Sequence, residues 1–521
     1  MIPLFTSEQI RGADSYAIKQ LGIPGSILME NASISIYNRI KQAFPELVKD
    51  LPIGILAGKG NNGGDAFALA RHFANAHYPV VIISIAGERE LKGDAALNFS
   101  ILKKLSRTNK SIRLKKYSKI SDLRLLDSCQ LIIDGLLGTG SKGELREPYK
   151  SIVQEINKIN NLKAAIDIPT GLNVDTGFGE VVFDADVTIT LAELKRGLFF
   201  GSGYVYSGEI FKGRIGLPDE YFKKLAVTEY LVEPEDAFAG IPERKINAHK
   251  YSAGKVLAIC GSAKYQGAAS IAANSSLIGG AGAVILAVPK SISNYIYQNL
   301  EGAVINPYND SDFGFLLEKN VEELTEKIDW ADVICLGPGL GREEATKKAV
   351  LQIVGNNPDK YFVIDADAIA AFSLKEFKKF NLSNAVFTPH FGEFASLMNI
   401  SIEELKRDIL GFGKKFSKLS GAYLALKGAP TIIFTPTGEA LINSSGNPGL
   451  AKFGSGDVLT GLVSAFIAQN KQIEKSLISA IYVHGMAADL YSEDYAEIAL
   501  TATRLIDYIP NAVKFIHDTF V

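Results

Sequence analysis

Residues Gly454-Ser455-Gly456-Asp457 run directly into an apolar, helix-forming stretch, DVLTGLVSAFIAQ. Glycines at a helix start leave backbone N–H groups free to face an anion, and the positive end of the helix favours one there. A carboxylate at the same point can take a proton from a hydroxyl beside an incoming phosphoryl group. The stretch therefore points to phosphoryl chemistry, with Asp457 as general base and the Gly454, Ser455 and Gly456 amides as an anion hole. An ordinary capping aspartate is the competing reading, and the two glycines before it weigh against that. The chain has no GxxxxGK[ST] stretch, so this is not a P-loop.

A second kind of glycine turn occurs twice in the first half, as Gly58-Lys-Gly60-Asn-Asn-Gly63 and Gly138-Thr-Gly140-Ser-Lys-Gly143. Each follows an apolar run of strand length. Taken singly, either is equally a tight turn at a strand end. Two such turns at the carboxyl ends of strands in one sheet make a stronger case, because open α/β sheets bind ligands at that edge. Polar residues gather beside them. Asn61, Asn62, Gly63, Gly64 and Asp65 share one turn, Asp134 lies four residues before Gly138, and Asp167 and Thr170 end a further run, AAIDIPTG. One strand-end aspartate is usually a turn former. Three polar clusters on one sheet edge make a site.

The elements that must carry these residues alternate along the chain. Predicted strands are 52–58, 79–87, 130–138 and 163–171, with helices between them over NGGDAFALARHFANA, GDAALNFSILKKL and YKSIVQEINKI. Runs 187–194 and 208–218 extend the sheet. The strands are apolar on both faces, which predicts a parallel, doubly wound sheet covered by helices on both sides. Residues 219–250 are charged, proline-bearing and weakly periodic, and predict a domain boundary near 225–245. A second α/β series follows, with strands at 255–261, 283–289, 333–339, 361–367, 385–390 and within 422–436. A helix begins at the capping box Ser401/Glu404, and late helices are predicted at about 456–469, 473–491 and 500–516. The expected domains are 1–225 and 235–521, with no repeat relating them.

Composition narrows the class. The chain has 521 residues, too many for one core, and 55 basic against 57 acidic residues leave a net charge of −2. That argues against nucleic acid or an anionic membrane as a main partner. Cys129, Cys260 and Cys335 are far apart, lie in or beside apolar runs, and read as reduced core thiols of a cytoplasmic protein. The six histidines lack zinc spacing. The N-terminus carries acids early and lacks the apolar segment of a signal peptide. Residues 265–289 hold no charge, but their glycines, serines and asparagines suit a packed helix and a buried strand better than a membrane span.

The first half resembles the NAD(P)H-hydrate epimerase family through ADSYAI, GIPGSILMENA, GKGNNGGDAFALAR, LIIDGLLGTGSKGE and AAIDIPTGLNVDTG. The family has Gly where this chain has Ala66 and Ser where it has Thr170. The resemblance implies a Rossmann-like domain that binds a hydrated nicotinamide nucleotide through Asn61, Asn62, Gly63, Gly64, Asp65, Gly138, Thr139, Gly140, Ser141, Lys142, Gly143, Glu144 and Asp167. It also implies K⁺ on Asn62, Asp134 and Thr170, an oxygen set suited to a hard cation. The chemistry implied is inversion at C6 of the hydrated ring, by ring opening or by transient loss of the hydroxyl; either needs proton transfer at that oxygen, with Asp167 the best-placed general acid/base.

The helix-opening GSGD resembles the ribokinase-like fold, and within it the NAD(P)H-hydrate dehydratase family. The shared stretches are AGKVLAICGSAKYQGAASIAA, ICLGPGLGR, VIDADAI, TPHFGEF, LKGAPTII and GNPGLAKFGSGDVLTG. Family members have Thr at Ser455. The resemblance implies that Ala268, Gly339, His390 and Asp457 meet the hydrated nucleotide. It implies further that Lys427, Gly428, Ala429, Pro430, Thr431, Gly454, Ser455 and Gly456 meet ADP, with Glu393 helping to hold Mg²⁺ through water. Together the halves describe an isomerase and a lyase in one chain. One epimerises the R and S hydrates (NADHX and NADPHX), and the other dehydrates the S hydrate with ADP, giving AMP and phosphate. The chain is expected to form a homo-oligomer with no nucleic-acid or membrane partner. The rival readings are an NAD-dependent dehydrogenase, a ribokinase-like small-molecule kinase with an attached nucleotide-binding domain, and a regulatory first half.

Overall fold

The computed structural model describes residues 1–140, 143–300 and 302–520. Two compact units make up the chain: Pro3–Glu229, and Tyr230–Val521 together with Met1–Ile2.

The first unit opens with two helices, α1 (Ser7–Lys19) and α2 (Gly25–Ala43). There follow β1 (Ile53–Ala57), α3 (Asn61–Asn75), β2 (Val80–Ser84), α4 (Gly93–Thr108), β3 (Ile112–Lys116), β4 (Leu131–Gly135), α5 (Tyr149–Ile156), β5 (Leu162–Ile166), β6 (Val187–Leu191) and β7 (Glu209–Gly213). The strands lie in the order β3-β2-β1-β4-β5-β6-β7, all parallel. Both faces of the sheet are buried. Ile53 and Ile55 pack with residues of α2 and α3 on one side, and Leu56 and Ile132 with Ile152, Val153 and Ile156 of α5 on the other. This is why the strands read as unbroken apolar runs. The chain winds outward from β1 to β3 and then returns to β4, so the strand order reverses between β1 and β4. The two GxGxxG turns leave those two strands. Ligands of open α/β sheets bind in the crevice at such a reversal.

The second unit contains β8 (Glu229–Leu231, whose first residue is the last of the first unit), β9 (Lys255–Ile259), α6 (Gln266–Ile278), β10 (Ala283–Pro289), β11 (Val304–Tyr308), α7 (Asn320–Trp330), β12 (Val333–Leu336), α8 (Glu344–Asn356), β13 (Tyr361–Ile364), β14 (Ala385–Phe387) and α9 (Phe391–Met398). It continues through α10 (Ile402–Arg407), α11 (Ile409–Ser420), β15 (Tyr423–Leu426), β16 (Ile432–Phe434), β17 (Ala440–Ile442), α12 (Ser455–Asn470), α13 (Ile473–Asp494) and α14 (Ala502–Phe520). From β11 the sheet runs β11-β10-β9-β12-β13-β14-β15, all parallel, and continues through antiparallel β16 and β17 to β8. Its order reverses between β9 and β12. One apolar core joins the strands to α6, α12, α13 and α14. The uncharged segment 265–289 is α6 followed by β10. Among the described residues no helix is long and apolar enough to cross a membrane.

The structure differs from the sequence reading at several ends. Strand 163–171 stops at Ile166, because Asp167 turns to a positive φ of 70°. Strands 187–194 and 333–339 stop at Leu191 and Leu336. Strand β8 falls inside the weakly periodic boundary segment. Strands β3, β11 and β17 were not anticipated, and β3 carries a charged pattern, IRLKK, on the open edge. Charge at an edge discourages pairing with other chains. Helix α10 begins with the expected capping box, Ser401 accepting from the Glu404 amide.

Candidate active sites

In the first unit the carboxyl ends of β1, β4, β5 and β6 open into a cavity of about 460 Å³, roofed by α1 and α2. The turn Gly58–Gly63 is compact: a Cβ on Gly58 would lie 1.8 Å from the Leu136 carbonyl, and one on Gly63 2.0 Å from the Gly58 carbonyl. Only glycine allows this approach, which ties the first turn to the end of β4. Helix α3 then starts at Asn61 with its N-terminus toward the cavity.

Asp167 lies buried at the mouth of β5. It pairs with Lys195 at 2.7 Å and accepts from the Leu191 amide at 3.2 Å. The Lys195 side chain is fully buried, and its ammonium also donates to Thr190 Oγ1 at 2.9 Å and the Leu191 carbonyl at 2.8 Å. A buried ammonium costs little only when paired and hydrogen-bonded, as here. Asp65 and Asp14 face the same cavity. Burial, reinforced by Asp167 and Asp14, pushes the Asp65 carboxyl well up. Burial and Asp167 push Asp14 up to about 6, against the pull of Lys195.

Behind the cavity wall Asp134 is fully buried. Its carboxylate accepts from the Thr170 amide at 2.7 Å, the Thr170 hydroxyl at 2.8 Å and the Leu136 amide at 3.0 Å. Asn62 donates to the Leu137 carbonyl at 2.9 Å, and the Leu137 amide donates to Thr170 Oγ1 at 3.1 Å. Burial raises the Asp134 carboxyl to about 6 despite these bonds.

In the second unit the strand ends bring together Gly339 after β12, Asp365 and Asp367 after β13, His390 after β14 and Lys427 after β15. Helix α12 starts at Ser455, its N-cap Gly454 at φ 92°. A Cβ on Gly456 would lie 3.0 Å from Lys427 Nζ, so the ammonium stands directly over the helix start. Lys427 pairs with buried Asp365 at 2.7 Å, and Thr460 of α12 donates to the other Asp365 oxygen at 2.5 Å. Burial and the charge of Asp365 raise the Asp457 carboxyl to about 7, Lys427 pulling the other way. His484 of α13, held neutral by burial at a pKa of about 4, donates from Nε2 to the Ser455 carbonyl at 2.9 Å and steadies the glycine turn. His390 caps α9: its Nδ1 accepts from the Gly392 amide at 3.0 Å. Glu393 accepts from the His390 amide at 3.0 Å, completing a reciprocal cap. Arg342 pairs with Asp367 at 2.8 Å. Ala268, on the first turn of α6, stands against Gly339, whose added Cβ would meet the Ala268 Cβ at 3.0 Å.

Over 518 residues the chain is 31% identical to the bifunctional NAD(P)H-hydrate repair enzyme of Moorella thermoacetica, covering 99% of this chain and 97% of that one. It is 32% identical to the enzyme of the same name from Dictyoglomus turgidum, with 98% of each chain covered. The chain belongs to the family of bifunctional NAD(P)H-hydrate repair enzymes. Family models agree with this division: residues 25–197 match "YjeF-related protein N-terminus" and residues 256–511 match "NAD(P)H-hydrate dehydratase". A ribokinase-like superfamily protein from Enterococcus faecalis shares the fold over 56% of this chain and 98% of its own, at 24% identity and a TM-score of 0.50. The chain is thus a Rossmann-like and ribokinase-like α/β pair.

Of the residues expected at the epimerase-family site, Asn61, Asn62, Asp65, Gly138, Thr139, Gly140 and Asp167 line the cavity. Gly63 and Gly64 are buried within the first turn of α3, Gly143 and Glu144 are exposed beyond the cavity lining, and Ser141 and Lys142 lie outside the described residues. Sequence reasoning missed Asp14, Lys195, Asp365, Thr460 and His484. Asp14 and Asp365 stand inside motifs that were recognised, ADSYAI and VIDADAI, and that was the available signal. Lys195 follows the run VTITLAEL by one residue and carried none.

Proposed function

We propose that the chain repairs hydrated NADH and NADPH, the first unit interconverting the R and S hydrates and the second returning the S hydrate to the reduced nucleotide. The observation that carries this is the pairing of two strand-end sites in one chain. One is a cavity of carboxylates balanced by a buried lysine. The other is an anion hole with a carboxylate of raised pKa beside it. The first suits proton movement on a small polar molecule, the second phosphoryl transfer.

In the first unit Asp167 exchanges a proton with the C6 hydroxyl, and the N-terminus of α3 and the second glycine turn hold the nucleotide phosphates. Asn62, Asp134 and Thr170 would hold K⁺. The fit rests on a buried carboxylate that meets the Thr170 hydroxyl and has no ion-pair partner among the described residues, with the Leu137 carbonyl held nearby by Asn62. A bound K⁺ would supply the positive charge that burial denies Asp134.

In the second unit hydroxide is a poor leaving group from C6. Asp457 takes the proton of that hydroxyl as the β-phosphoryl of ADP arrives on the oxygen, and the Gly454–Gly456 amides stabilise the phosphoryl in transit. Loss of phosphate, with a proton from C5, restores the C5–C6 double bond. Lys427 and the turn to Thr431 take the donor nucleotide, with Ala268, Gly339 and His390 against the hydrate. No three His, Cys, Asp or Glu side chains cluster as a metal site among the described residues. This fits Mg²⁺ held mainly by substrate phosphates and water, with Glu393 in the outer shell. Cytoplasmic location and a homo-oligomeric state belong to the same reading.

The test supplies mixed hydrate epimers with ADP or with ATP and follows both nucleotides by chromatography. Consumption of both epimers with release of free phosphate and NAD(P)H supports repair. A stable phosphorylated product would favour a small-molecule kinase, and no turnover of hydrate would overturn the proposal.

A further inference from the structure

We propose that Asp14 is a second acid–base carboxylate of the first-unit cavity, acting with Asp167 to remove and re-add water at the hydroxyl-bearing carbon of the hydrate. This rests on the epimerase reading above. Asp14 lies on α1, ahead of the segment 25–197 that the family model matches. The helix that carries it is firmly placed. Thr6 and Gln9 close a capping box, the Ser7 amide and hydroxyl donate to Asp175 at 2.7 and 2.6 Å, and Ala13 and Ala17 are buried on either side of Asp14. Arg11, one turn before Asp14, donates to the Thr139 carbonyl at 3.3 Å and so ties the helix to the second glycine turn.

The two carboxylates stand in opposed surroundings. Asp167 has the Lys195 ammonium at 2.7 Å and accepts from the Leu191 amide at 3.2 Å. Asp14 is half-buried and has no hydrogen-bond or ion-pair partner among the described residues. Its carboxyl is lifted to about 6 by burial and then by Asp167, with Lys195 opposing. The other charged groups on the cavity are Asp65 of α3, Asp94 of α4, Lys59 of the first glycine turn and Arg11. Two carboxyl groups on one cavity, one held by a lysine and one without a partner, suit the division of labour between a base and an acid.

The step balances without a further reagent. Asp14 gives its proton to the C6 hydroxyl as the C6–O bond breaks, the ring-nitrogen lone pair forms the C6=N bond, and water leaves. Water then adds to the other face of C6, the C=N electron pair returns to nitrogen, and Asp167 takes the proton from the incoming water. The reverse direction exchanges the roles, so each direction needs one proton on the pair.

The experiment measures epimerisation by the full chain, without ADP, from pH 4.5 to 9 in ¹⁸O-labelled water, for wild type, Asp14→Asn and Asp14→Glu, with thermal melts. Wild type should incorporate solvent oxygen at each inversion and lose rate as pH rises above about 6, where Asp14 gives up its proton. Asp14→Asn should lower the rate by roughly 10²–10⁴-fold and flatten that limb, and Asp14→Glu should restore both in part. Three outcomes overturn the proposal. One is an Asp14→Asn protein with wild-type rate and profile. Another is wild-type inversion with no label entering or no limb near pH 6. The third is a folded Asp14→Glu protein no better than Asp14→Asn. If wild type inverts neither epimer, the epimerase reading itself fails and this proposal falls with it.

Discussion

Both units set an aspartate beyond the carboxyl ends of parallel strands near the point where strand order reverses, yet they surround it differently. Asp167 leaves its strand in a left-handed conformation against a fully buried lysine. Asp457 is the third residue of a helix, and the lysine beside it is already paired with Asp365. The first arrangement holds a carboxylate against a cation that has no other acidic partner among the described residues. The second keeps a carboxyl near neutrality at a helix start built for anions, where a permanently charged base would repel the phosphoryl donor. The same topological position therefore carries two kinds of surroundings, set by the nearest cation and by the element that holds the aspartate.

The sharpest test of that contrast removes each base alone. Asp457→Asn should lower dehydration by roughly 10²–10⁴-fold while epimer exchange continues, and Asp167→Asn should do the reverse. Time courses of each epimer with each variant, alongside melts, check this. Loss of epimerisation in a folded Asp457→Asn protein would break the independence of the sites.

Lys195→Met should strike stability as well as rate. It leaves Asp167 buried without its partner, a change that costs about 3–5 kcal/mol in comparable pairs. Lys427→Met should cost less, because its partner Asp365 keeps the Thr460 hydroxyl. Chemical denaturation of the two variants compares them directly, and equal losses would remove the distinction drawn between the lysines.

Potassium should matter to the first unit alone. Replacing K⁺ by Na⁺, or Asp134 by Ala, should slow epimerisation and spare dehydration. The need for K⁺ should grow as pH falls toward 6, because protons then compete for the Asp134 carboxyl. Equal rates in the two salts would rule the site out.

Dehydration should have its own pH signature. A carboxyl lifted to about 7 is ionised only above that pH, so rate should fall about tenfold per pH unit below it. Asp457→Glu should shift this limb, and a flat profile would remove Asp457 as base.

The smallest effect concerns the thiols. Cys129, Cys260 and Cys335 are buried and free, so replacing each by Ala should cost about 1 kcal/mol and little turnover. Burial holds the Cys129 thiol at about 12 and Cys260 well up, so mild alkylation of the folded protein should leave activity intact.

What could be read in advance depended on how local the signal was. Glycine turns and strand-end aspartates declare themselves within ten residues, and both sheets followed from apolar runs. Asp134 and Thr170, 36 residues apart, were grouped by the family resemblance, and they meet because adjacent parallel strands end side by side. Lys195 was missed because a lysine after a strand normally reads as a solvated surface charge, and only the fold buries it. Asp14 stands alone in its stretch, with no polar cluster beside it to mark a site. His484, a lone histidine in a helix, gave no sign of reaching Ser455 29 residues away. Strands β8 and β17 have three residues each, too few for a period to show.

The Lys427–Asp365 pair has a thermodynamic consequence. Lys427 is the cation that draws the Asp457 proton affinity down. A phosphate that recruits its ammonium leaves Asp365 with Thr460 alone and Asp457 with less positive charge beside it. The second change favours protonation of Asp457, so arrival of an anion at this loop and uptake of a proton are linked. By reciprocity, acidifying the solution tightens anion binding there by the same factor that the anion raises the proton affinity.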